Sequence, residues 1–176
     1  MAGHLHYNHG VSFWSGLWVG DADDIGARLD DEGEESLAAS GRVLAHVDLP
    51  GVLPGSGDPG SPERLTAIAC EVAGQAARAE LAFEAARGRH LAGDDPDERE
   101  ASGGAFEMSR PWVELFAGLD DGAVACVAQR WAGELADEAG VPVGSVIGIA
   151  DLVTQVRDAC RTARERSAAV VYSWTL

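Results

Sequence analysis

Strand-like alternation occupies the two ends of this chain and helical spacing occupies most of what lies between, and that arrangement bounds the fold. His4, His6 and Asn8 alternate with Leu5 and Tyr7, and Val11 to Val19 sets Phe13, Leu17 and Val19 opposite Trp14 and Trp18, the pattern of a hairpin or two short strands. At the far end Ala168 to Leu176, AAVVYSWTL, again reads as a strand. Between them Asp21 caps a helix over 22–31. Glu34 to Val47 reads as a short helix passing into a strand toward Leu49. Pro50 to Gly60 is a loop. Ser61 and Pro62 open the longest helix, whose apolar positions Leu65, Ile68, Val72, Ala76, Ala79, Phe83 and Ala86 keep helical spacing as far as Arg87, with Gly74 as a point where it can kink or split. The polar stretch from Arg89 to Arg110 reads as a surface loop. Helices follow from Pro111 to Leu119, from Asp120 to Glu138 with Gly140 as a stop, and from Gly144 to about Arg166.

No β-α-β alternation is present, so a doubly wound parallel sheet is not expected. The expected architecture is α+β: a helix-rich single domain over 1–176, with a small sheet formed by the N-terminal segment and the C-terminal strand. Trp14, Trp18, Tyr172 and Trp174 would be its cross-strand aromatic partners. A chain of 176 residues buries about two-thirds of its surface on folding, enough for a core without staples.

Charge narrows the function classes. The chain carries 29 acidic residues against 13 basic ones, all arginine, for a net charge of -16. A nucleic-acid backbone or an anionic lipid surface would be repelled, so neither is an expected partner. Abundant Ala, Gly and Arg with no Lys points to a GC-rich, bacterial coding composition. No run of about 18 apolar residues is present to span a bilayer, and MAGHLHYNHG lacks the layout of a secretory signal, which makes the cytoplasm the expected compartment. Cys70, Cys126 and Cys160 form no C-x-x-C pair and read as small buried hydrophobes in helices.

Two motifs fail on their context. Gly55 to Gly60 spells G-x-G-x-x-G, but five loop residues separate it from the preceding strand. Asp58 would repel a pyrophosphate and Pro59 has no amide to cradle one. Asp21, Asp23, Gly26 and Glu32 match four positions of an EF-hand calcium loop, yet Ile25 stands where a ligand belongs, and a capped helix accounts for the same acids.

Chemistry concentrates in the histidines. His4 and His6 would project to one face of a strand and His9 could fold back across a turn, an imidazole set suited to Zn²⁺, Ni²⁺ or Cu²⁺; His46 and Asp48 repeat the i, i+2 spacing on the second strand. Trp14 and Trp18, with Gly16 between them, could floor a ligand pocket. No nucleophile elbow or P-loop is present. The expected function is a non-enzymatic, acidic cytoplasmic protein that binds a basic protein partner as a neutraliser or regulator. The alternatives are a metal-dependent enzyme or metal-binding protein using the histidines, and a small-molecule binder with a pocket between sheet and helices. Pairing of the hydrophobic ends as an exposed sheet edge would give a homodimer.

Overall fold

From Trp14 to Gly20 the chain runs as strand β1 with both faces covered: Ser15, Leu17 and Val19 are buried on one side and Trp18 on the other. A strand buried on both faces belongs in the middle of a layered sheet, and a computed structural model places it there. It describes residues 14–31, 37, 38, 40–49, 59–75, 78–93 and 103–175. The remaining strands are β2 (Ala45–Leu49), β3 (Arg87–Gly93), β4 (Gly103–Met108) and β5 (Ala169–Thr175), in the order β2-β1-β5-β4-β3 with every neighbouring pair antiparallel.

The helices are α1 (Ala22–Asp31), α2 (Pro62–Val72), α3 (Phe83–Ala86), α4 (Arg110–Ala117), α5 (Asp121–Ala139) and α6 (Ile149–Arg166). One face of the sheet, carrying Leu17, Val19, Val47, Phe106, Met108, Tyr172 and Trp174, joins a single core with α2, α4, α5 and α6. The opposite face, with Trp18, Ala92, Ala105 and Val171, packs against Ala22 and Ile25 of α1 and against Leu37. The chain is thus α+β, with β5 at the centre of the sheet between β1 and β4.

Three helices end by one device. Gly74, Gly140 and Ser167 take left-handed backbone (φ 68°, 64° and 52°), and the amide after each reaches back to close the last turn: Gln75 to Cys70 O, Val141 to Ala136 O and Ala168 to Ala163 O. At Gly74 the helix expected to run to Arg87 is split, the alternative that the glycine offered. The apolar spacing continues, but α2 stops at Val72, and a 3-10 turn (Ala79–Leu81), the short α3 and β3 follow. Phe83 and Ala86 still reach the core, so helical spacing was satisfied without a continuous helix.

The expected surface loop from Arg89 to Arg110 is also corrected, because β3 and β4 pair there. Register shifts between Arg87 and His90, and between His90 and Ala92, interrupt the alternation that would have marked β3, whose outer positions Gly88, Arg89 and His90 are exposed. The aromatic partnership divides as well. Tyr172 and Trp174 face the four-helix side beside Phe106, whereas Trp18 stands opposite Val171 in register and faces α1. The hydrophobic ends do not form the expected edge: β1 and β5 are internal, and β2 and β3 are the outer strands.

Candidate functional site

The i, i+2 spacing of His46 and Asp48 lies on β2, as the sequence implied, and brings the pair to one side of the strand with His46 Nε2 3.4 Å from Asp48 Oδ1. His46 is the register partner of Trp18, and their rings stack with centroids 3.9 Å apart and 19° between planes. Trp18 is fully buried and donates from Nε1 to Ser173 Oγ at 2.8 Å, so its ring is a packing element of the α1 side. Trp14 heads β1. His4, His6 and His9 lie outside the described residues, as does most of the glycine motif. Among the described residues no group of three or more His, Cys, Asp or Glu side chains comes together as a metal site.

Burial pushes the His46 imidazole below its ordinary 6.5, with Asp48 pulling in the opposite direction. The sign follows from proton counts. As pH falls below 6.5 the unfolded chain takes up a proton that the folded chain resists, so stability present above 6.5 is lost through the window beneath it. Urea unfolding across this range should show the loss, and His46→Asn should flatten it.

Asp21 caps α1 by accepting from the Asp24 amide at 2.9 Å, and α1 runs unbroken from Ala22 to Asp31, which removes the calcium-loop geometry. Asp24 also engages Arg28 and Arg42, and Asp23 engages Arg89. The cysteines are free, and Cys126 is exposed whereas Cys70 and Cys160 are buried, a correction for the first of them.

Sequence reasoning missed a buried polar group on the four-helix side. Tyr172 is fully buried; burial and the nearby Glu63 charge push its phenol well above the usual range, with the Ser15 hydroxyl nearby acting in the opposite direction. Trp174 Nε1, buried beside it, has no acceptor among the described residues. Ser15 was the available signal, a hydroxyl two residues before Leu17 on the same apolar strand face and opposite Trp174 in register.

A cavity of about 350 Å³ lies between the turn after α2 and the start of α4, lined by Gln75, Arg78, Arg110, Pro111, Glu114 and Leu115. This is a surface groove, away from the space between sheet and helices where a pocket was expected, and Arg78 is already held by Gln75 and Glu80.

The surface itself is organised. Arginines from every part of the fold turn onto its own carboxylates: Arg64 onto Glu134, Arg130 onto Glu71, Arg89 onto Asp23 and Glu107, Arg157 onto Asp121 and Asp158, Arg110 and Arg164 onto Glu114. Arg161 instead donates to the carbonyls of Ala117 and Leu119 at the end of α4, where the helix dipole favours a cation. Asp137, Glu138, Asp151 and Glu165 have no ion pair among the described residues. Three of those four flank the connection between α5 and α6, which also exposes Val141 (42%), Val143 (50%) and Ile147 (85%). No helix among the described residues is long and apolar enough to cross a membrane. No family model, curated protein or solved structure matches the chain.

Proposed function

We propose that this is a non-enzymatic, acidic protein of the cytoplasm that binds a basic protein partner, as a neutraliser or regulator. The observation that carries the reading is the internal commitment of the arginines. Many of the 13 basic side chains face carboxylates of the same fold, while among the described residues Asp137, Glu138, Asp151 and Glu165 have no ion pair, in a chain whose net charge is -16. Such a surface attracts a basic protein at long range and repels nucleic acid and anionic lipid.

Affinity capture from the source cytoplasm, at about 50 mM salt and again at about 500 mM, tests this through the screening length. The expected result is a protein of strongly basic composition retained in the first and released in the second. Recovery of no basic protein at low salt, or a complex indifferent to salt, would contradict it.

A second reading, metal binding through His46 and Asp48 with His4, His6 and His9, is favoured by the 3.4 Å approach of the first two on β2. Elemental analysis of untagged protein tests it: stoichiometric Zn, Ni or Cu supports the reading, and substoichiometric metal with no thermal shift on adding these ions refutes it.

A further inference from the structure

We propose that the basic partner seats on the α5–α6 connection, and that the segment it presents is amphipathic, with apolar side chains flanked by Lys or Arg; this rests on the reading above. Between Arg130 and Arg157 the chain contains no basic residue, and among the acids of that span Asp137 and Glu138 end α5 while Asp151 opens α6. The connection between these carboxylates carries three of the four large hydrophobic side chains exposed among the described residues, Val141, Val143 (50%) and Ile147 (85%), the fourth being Leu44.

The connection is tied by backbone hydrogen bonds. Val141 N bonds to Ala136 O at 3.0 Å, the turn Val143–Ser145 is closed by Val146 N bonding to Val143 O at 3.0 Å, and Val146 packs on the core beneath. An apolar contact held in place before binding loses little conformational entropy on association, and the carboxylates that bracket the connection at the two helix ends favour cations beside it. A purely polar basic surface would leave the aliphatic groups wet, and a purely apolar one would strip water from the carboxylates without replacing it. The amphipathic basic segment satisfies both.

The probes are two synthetic peptides of equal length and charge, one of Leu and Lys and one of Gly and Lys, titrated against the full chain. The wild type should bind the Leu/Lys peptide on the order of tenfold more tightly, a factor worth about 1.4 kcal/mol. The pair Val143→Ser and Ile147→Ser, at exposed positions that the fold does not use, should abolish that preference and leave Gly/Lys binding unchanged. Asp137→Asn with Glu138→Gln should weaken both peptides. Equal affinity of the wild type for the two peptides, or a preference that survives the serine pair, would overturn the seat while leaving the charge-based function standing. Failure of both peptides to bind at low salt would overturn that function and the seat with it. Concentration-dependent dimerisation abolished by Ile147→Ser would assign the surface to a second copy of this chain, and would also overturn it.

Discussion

Trp18→Ala is expected to reduce the free energy of unfolding by about 3–5 kcal/mol, the range for truncating a fully buried tryptophan. Its ring is the largest side chain of the smaller core, which otherwise relies on Ala22, Ile25, Leu37, Ala92, Ala105 and Val171. With so many of these neighbours small, little can move inward to fill the space, so most of the cavity should persist. Two further consequences separate this from generic loss of volume. Ser173 loses the indole N–H that its hydroxyl accepts at 2.8 Å, and His46 loses the face on which it stacks. Deprived of that cover, His46 should titrate closer to its ordinary 6.5, which proton NMR of the imidazole would follow. Urea denaturation showing a loss under about 1 kcal/mol would mean that the α1 side of the sheet is not packed as described.

Gly93→Ala should cost about 3 kcal/mol or more, from two sources that act together. Gly93 has φ 65°, a conformation in which a side chain is strained. A Cβ there would also lie 2.3 Å from the carbonyl oxygen of Gly103 on the paired strand, and backbone cannot yield without separating β3 from β4. The comparison is Gly133, inside α5 with nothing within 4 Å of an added Cβ, where the same substitution should stabilise by about 0.5–1 kcal/mol. Thermal or urea unfolding of both variants checks the contrast. A tolerated alanine at Gly93 would argue against the β3–β4 pairing.

These two predictions fall on opposite sides of what the sequence made legible. Helix starts were readable where their chemistry is local: Asp21, Ser61 and Asp120 each accept from an amide three residues on, and Pro62 and Pro111 sit in first turns, whereas the last helix, expected from Gly144, opens only at Ile149 after a 3-10 turn and has no side-chain cap. The central strands were readable because Leu17 and Val19 alternate with Trp18, and because β5 is a run of Val, Tyr and Trp. The β3–β4 pair was not readable. Its closeness depends on Gly93 meeting Gly103 and Gly104, and Ala92 meeting Ala105, across strands, a long-range fit that leaves only small residues in the sequence, and its bulges erase the period. The helix over 62–87 was half legible: Gly74 marked where it could split, but the apolar spacing beyond it, which the core accepts from separate short elements, hid the turn, the short helix and the strand that follow.

The candidate site divides in the same way. The pairing of His46 with Asp48 followed from strand periodicity alone. The stacking of His46 on Trp18 required the register between β1 and β2. The commitment of arginines to carboxylates could not be seen in a charge count, since Arg64 reaches Glu134 and Arg130 reaches Glu71 across helices far apart in sequence. Net charge is visible in composition, whereas how much of it is answered inside the fold is a property of the tertiary structure.

The central claim is that the outward carboxylates bind a basic protein. The most direct measurement is the dissociation constant of the captured complex, by titration calorimetry, over a series of salt concentrations from about 50 to 500 mM. Affinity should fall steadily as salt rises, and Asp137→Asn with Glu138→Gln should weaken the complex at low salt and reduce its salt dependence. An affinity that holds constant across the series, unchanged by neutralising those two carboxylates, would contradict the claim.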